Sequence, residues 1–389
     1  MGTRNRQRRA EKHRRRERTS ATRNDRRTGS LPPIREMIYA AVEAQRAPDP
    51  RPYQSLLSVL AEGGPRASAE LDVVVGEALA AVRAGNWDTA EVGRQAERRL
   101  GPRHARYLTE VTSGRPQRSA TTVEAIACAV EVLALLFALP PLPRFGDPAR
   151  VARRTGHDTR VLEKVRALLA KAESTTFPEE AEALSAKAQE LMARHAIDEA
   201  MVGAAEGADD APTGVRLPVD DPYAGAKSIL LSEVAVSNRC RAVWSKDLAI
   251  STVVGYESDL EFVEILYTSL LVQATSAMVA AGPQVDRYGR SRTRSFRQSF
   301  LLAYAKRIGH RLRAAEAASR ASATEQYGVA LVPVLADRSA AVTAARDAAF
   351  PGAVSRSVSI SNAAGWAAGS AAADLASLSS RTEVPAQPG

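Results

Sequence analysis

Residues 164–197, "KVRALLAKAESTTFPEEAEALSAKAQELMARHAI", hold two runs of helical periodicity on either side of a short Ser/Thr/Pro turn. Val161, Val165, Leu168, Leu169 and Ala172 form one stripe on the first run. Ala181, Leu184, Ala188, Leu191 and His195 step by three and four along the second, so they share a helix face. Thr176-x-x-Glu179 has the form of a capping box, and Pro178 is tolerated in a first turn. Glu190 and Arg194 pair at i,i+4 on the other side. The spacing predicts an αα-hairpin with one apolar seam. Small alanines allow the two helices to approach closely.

Working outward from this hairpin (157–202), the chain reads as mostly α with a C-terminal α+β domain. A linker at 140–156 begins "PPLPRFGDP". Before it, 31–139 is a helical N-terminal region. Helices are expected at Ile34–Ala44, Tyr53–Leu60, Ser68–Ala84 and Thr89–Leu100, the last capped by Asp88. Thr121-x-x-Glu124 opens an apolar helix that runs to Leu139. Beyond the hairpin, 203–222 is rich in Gly, Asp and Pro and reads as a second linker. Residues 223–378 then form a small sheet packed by helices. Asp221-Pro222 caps a helix to about Val236, and "CRAVW" (240–244) pairs with "LAISTVV" (248–254) as a hairpin. Ser258-x-x-Glu261 opens a helix to Ala281, and another runs from Ser295 to about Ala323. "VALVPVL" (329–335) reads as an edge strand, Ser339–Phe350 as a helix, "SRSVSI" (355–360) as a strand and Ala363–Leu378 as a final helix. Residues 1–30 and 379–389 are expected to be disordered tails.

The hairpin residues resemble the bacterial family catalogued as domain of unknown function 2786. The matching positions are Lys164, Arg166, Leu168, Leu169, Ala172, Glu173, Ser174, Phe177, Glu179, Glu180, Ala181, Ala188, Gln189, Leu191, Met192, His195 and Ile197. Leu184 stands where that family usually has Ala, and Lys171 where an apolar residue is common. The region after 222 resembles a partner domain found downstream, also of unknown function. The resemblance implies an actinobacterial or phage-related origin and brings no assigned activity.

The net charge of +9 is unevenly distributed over the 389 residues. Residues 1–27 hold twelve basic residues, Arg14, Arg15 and Arg16 among them, against Glu11, Glu17 and Asp25. That is the whole excess, and the remainder of the chain is neutral. Such a run is an electrostatic binding arm for nucleic acid or a solubilising tail. The two cysteines, Cys128 and Cys240, form no C-x-x-C pair and read as buried thiols in a reducing cytoplasm. No apolar region follows the N-terminal charges, so no secretory signal or membrane association is expected. The apolar run Val123–Leu139 is interrupted by Glu124 and Glu131 and reads as a buried helix.

No phosphate-binding loop, no G-x-S-x-G and no H-E-x-x-H occurs, so no reaction class is fixed. No cofactor or metal is expected. Gly365 and Gly369 have small-x-x-x-small spacing, which reads as tight helix packing. Asp259, Glu261 and Glu264 cluster at a helix start, where the helix dipole accounts for them. A metal-dependent hydrolase or nuclease built on them is the alternative function. Between Asp286 and Arg313 lie nine basic residues and one acid. The loop contributes Arg287, Arg290, Arg292 and Arg294 with Tyr288. The helix contributes Lys306 and Arg307 on the side opposite Phe300, Tyr304 and Ile308. Its apolar arc is expected against the sheet, with the cations forming either a solvated face or a nucleic-acid ridge. On the hairpin, Lys164, Arg166, Glu173 and His195 form the candidate protein-docking surface. His195 reads as a base or ligand, or as a cap on the helix end. The expected function is nonspecific nucleic-acid association in the cytoplasm, with the hairpin as a docking module. A pure protein-interaction module is the third reading.

Overall fold

The computed structural model describes residues 33–114, 122–145, 159–174, 178–206, 211–354 and 361–376. The basic run 1–30, Thr176 and the strand expected at 355–360 lie outside them. The chain divides into two units, Met1–Leu142 and Pro143–Gly389.

The described part of the first unit is helical: α1 (Ile34–Gln45), α2 (Arg51–Glu62), α3 (Gly64–Ala84), α4 (Thr89–Leu100), α5 (Pro102–Thr112) and α6 (Val123–Ala138). The near-continuous apolarity of α6 reflects its place at the centre, where it packs on all five others. Ile126, Val130, Val132, Leu133 and Leu136 are buried around it. The cap is Thr122, one residue later than expected, with Oγ1 accepting from the Ala125 N–H at 3.3 Å. Asp88 caps α4 as predicted: its Oδ1 accepts from the Ala90 N–H at 2.7 Å, and Glu91 accepts from the Asp88 N–H at 2.9 Å. Polar side chains also cross-link the helices. Tyr107 Oη donates to Asp72 Oδ1 at 2.8 Å, and buried His104 holds Nε2 2.5 Å from Glu131 Oε2.

The second unit begins with the predicted hairpin, α7 (Thr159–Ser174) and α8 (Pro178–Glu206). β1 (Thr213–Pro218), α9 (Ala224–Ser237), β2 (Arg241–Ser245), β3 (Ile250–Gly255), α10 (Glu257–Ala280), α11 (Thr293–Tyr327), α12 (Leu331–Ala349) and α13 (Ala363–Leu375) follow. The sheet is antiparallel in the order β1-β3-β2, with Val215 opposite Val253 and Val243 opposite Thr252. β3 is the central strand and is buried throughout, its polar Ser251 and Thr252 included. Leu162, Val165, Leu169, Ala188 and Met192 of the hairpin share one core with α9, α10, α11 and α13. The hairpin therefore packs as part of this unit's core.

Other expectations change, among them the Asp221-Pro222 cap: Tyr223 precedes α9, with no side-chain cap. The segment 203–222 holds the end of α8 and the edge strand β1, whose Leu217 is buried. Residues 329–335 are helical, not a strand: a 3-10 turn over Gly328–Ala330 leads into α12. Leu331 and Leu335, one turn apart, pack with Ile197 and Ala200 of α8. Pro333 falls in the first turn, where its missing N–H costs no helical hydrogen bond. The buried face of α8 also lies beside the expected one, through Ala188, Met192, Ala196, Ile197 and Ala200, with Leu191 and His195 only half-buried.

Both cysteines are free and buried. Burial pushes the Cys128 thiol up to about 11 and the Cys240 thiol well above its ordinary value. Two helical segments, Glu257–Ala280 and Thr293–Ala349, are long and apolar enough to cross a membrane. In α10 that apolarity serves the core, through Leu260, Phe262, Val263, Leu266 and Leu270.

Candidate nucleic-acid interface

Between α10 and α11 the chain folds back on itself in a small braced loop. Val285 and Ser291 form an antiparallel bridge. The Asp286 N–H donates to Arg290 O at 2.9 Å, and the Arg292 N–H to Gln284 O at 2.7 Å. Thr293 Oγ1 accepts from the Gln284 N–H at 2.9 Å and ties the loop to the start of α11. At the tip, Asp286 Oδ1 accepts from the Tyr288 N–H at 2.8 Å and the Arg290 N–H at 3.0 Å. Gly289 has φ +76°, a left-handed conformation that glycine adopts without a Cβ clash. Asp-Arg-Tyr-Gly-Arg thus carries its own turn chemistry: Asp first, Gly at the left-handed position.

This turn projects charge. Arg287, Arg290, Arg292 and Arg294 are all exposed. No carboxylate among the described residues pairs with any of them. The nearest in sequence, Asp286, is committed to backbone N–H groups. Tyr288 is 68% exposed, with the Arg287 and Arg290 guanidinium carbons 4.7 Å and 5.9 Å from its ring centroid. The arrangement brings three cations and one aromatic ring onto a short, internally hydrogen-bonded loop, with a fourth cation, Arg294, in the first turn of α11.

The rest of the basic segment behaves differently. The apolar arc of α11 packs chiefly on α9 and α13, not on the sheet. Four cations farther along α11 are engaged within the fold. Lys306 Nζ lies 2.8 Å from Glu233 Oε1, and Arg313 binds the same carboxylate. Arg307 Nε lies 2.5 Å from Asp374 Oδ1. Arg311 donates to the carbonyls of Ala373, Asp374 and Ala376 at the end of α13. The expected ridge is thus largely a set of clamps between α11 and its neighbours. Arg14, Arg15 and Arg16 lie outside the described residues.

The hairpin surface is likewise divided. Lys164 and Arg166 are exposed on α7. His195 instead packs its ring edge-on against Phe262 of α10, with centroids 5.8 Å apart. It caps no helix end, because α8 continues to Glu206. The Glu173 side chain lies outside the described ones. Arg166 lines a cleft of about 440 Å³ with Leu169 of α7 and with Glu261, Glu264 and Thr268 of α10. Asp259 does not line this cleft: it is buried and holds Arg239 Nη2 at 2.8 Å. The structure therefore separates the carboxylates that the sequence groups together. Among the described residues no group of three or more His, Cys, Asp and Glu side chains could hold a metal ion.

Comparison with curated proteins and with solved structures finds no match. Residues 160–199, which span most of α7 and α8, match the family model described as protein of unknown function (DUF2786), and this helical hairpin is the part of the chain that carries the family's signature.

Proposed function

We propose that the protein associates with nucleic acid, without sequence specificity, through the loop 285–292 and the first turn of α11. The observation that carries this reading is the set of four exposed arginines with no carboxylate partner among the described residues. Guanidinium groups match phosphate oxygens in geometry and charge. Because the loop is already hydrogen-bonded, little backbone order is lost on binding. The twelve basic residues of the N-terminal run add charge of the same sign. Four phosphate contacts correspond to about three to four units in the slope of log affinity against log salt. The two free, buried thiols support a cytoplasmic setting for this activity.

The test is titration of the full chain with oligonucleotides at several salt concentrations. The comparison is a variant with Arg287, Arg290, Arg292 and Arg294 all changed to Gln. The variant is expected to bind more weakly and to lose about three units of slope. Unchanged affinity and slope would move the whole interaction to the N-terminal run. Binding to anionic vesicles but to no oligonucleotide would overturn the reading altogether.

A further inference from the structure

We infer that the loop selects single-stranded nucleic acid, with Tyr288 as the platform on which an unpaired base stacks; this rests on the nucleic-acid reading of the same loop. The arginines alone do not distinguish strand forms, because phosphates are present in both. Tyr288 does. It occupies the turn tip between Asp286 and Gly289, and its N–H is fixed to the Asp286 carboxylate at 2.8 Å. The ring remains 68% exposed although two guanidinium groups lie near it. Because the backbone is already fixed, only the two side-chain torsions of Tyr288 lose freedom when a base stacks on the ring.

In a duplex the faces of the bases are covered by their neighbours, and a protein meets only phosphates, sugars and groove edges. Reaching a base face there requires unstacking, which costs about as much as one aromatic contact returns. In a single strand the face is available at little cost. Arg287 and Arg290 lie over the ring, so a guanidinium that yields the ring face to a base stays beside it, within reach of the neighbouring phosphates. Arg292 at the N-cap and Arg294 in the first turn continue the charge into α11. The loop thus offers one base platform and a short phosphate track.

The experiment compares an unstructured oligothymidylate with a duplex of the same length, at one ionic strength, for wild type, Tyr288→Ala and Tyr288→Phe. Wild type is expected to prefer the single strand. Tyr288→Ala should weaken single-strand binding about tenfold, shift duplex binding less than about twofold and leave the salt slope unchanged. Tyr288→Phe keeps the ring and should bind as wild type does. Circular dichroism of each variant checks that the exposed substitution leaves the fold intact. Equal loss on both forms, no loss on either, or a wild-type preference for duplex overturns the single-strand assignment while leaving nucleic-acid binding in place. Failure of wild type to bind either form overturns the underlying reading instead.

Discussion

Replacing Gly369 with Ala should destabilise the second unit by about 1–2 kcal/mol net, although Ala is the better helix former. α13 lies against the backbone of α11. A Cβ at Gly369 would sit 2.1 Å from the Phe300 carbonyl oxygen and 2.8 Å from its Cα, both well short of the 3.4 Å at which contact becomes ordinary. Gly365 meets Phe296 in the same way one turn earlier, at 2.4 Å from its carbonyl oxygen. The obstacle is backbone, so no rotamer change relieves it, and the helices must separate. Overpacking of a core costs roughly 1–3 kcal/mol, occasionally more. Separation also disturbs Ala373, which is fully buried, and the Arg311 bonds to the end of α13. Against this stands a helix-propensity gain of about 1 kcal/mol. Sterics therefore prevail. Urea unfolding monitored by circular dichroism reads the difference. Gly76 in α3 is the control: nothing lies within 4 Å of its added Cβ, so Gly76→Ala should stabilise the first unit by up to about 1 kcal/mol. Gly369→Ala as stable as wild type would refute the close-packing argument.

Two further outcomes follow from buried charge. Asp259→Ala leaves Arg239 buried without its partner, and urea unfolding should show a loss of about 3–5 kcal/mol; a loss under 1 kcal/mol would mean that solvent reaches the pair. In the first unit, burial raises the Asp72 pKa above its ordinary 3.8, a shift the Tyr107 hydrogen bond only partly offsets. A carboxyl with a raised folded-state pKa binds its proton more readily when folded, so it costs stability at neutral pH, and that cost fades as pH falls through the folded pKa toward the ordinary value. Asp72→Asn keeps an acceptor for Tyr107 and removes the charge. Melting across pH 3–7 should show the variant gaining on wild type at pH 7 relative to acid, and an equal difference at every pH would count against the mechanism.

Much of this architecture can be read locally. Gly365 and Gly369 announce a tight helix contact because spacing and residue size suffice to specify it. The β2–β3 pair is legible from two apolar runs joined by a short polar connection, and the apolar helix α6 from its near-continuous pattern. β1 escapes because Thr213–Pro218 contains a Gly and a Pro and only Leu217 is buried, so it has little alternation to detect. The 329–335 segment is misread because Val and Pro favour an edge strand locally, whereas the burial of Leu331 and Leu335 against α8 requires a helix. Tertiary contact overrides propensity there. The sequence of the candidate loop names every residue in it. Its rigidity, however, depends on the Asp286 side chain accepting two backbone N–H groups, which is visible only as an Asp-to-Gly turn signature.

The helical cations show why local charge is a weak guide to an interface. Lys306 and Glu233 are 73 residues apart in sequence and 2.8 Å apart in space. A count of basic residues along 286–313 cannot register that contact, nor those of Arg307 and Arg311. Once the partners are assigned, most of the local excess divides into two classes, with the half-buried Arg297 in neither. The clamped cations brace α11 on α9 and α13, and a phosphate would have to compete with a carboxylate or carbonyls to reach them. The loop cations face no such competitor among the described residues. Every guanidinium that a phosphate engages there adds to affinity without first breaking an ion pair. The relevant quantity for binding is therefore the charge left over after folding, and that charge is concentrated on the turn that also carries the exposed ring.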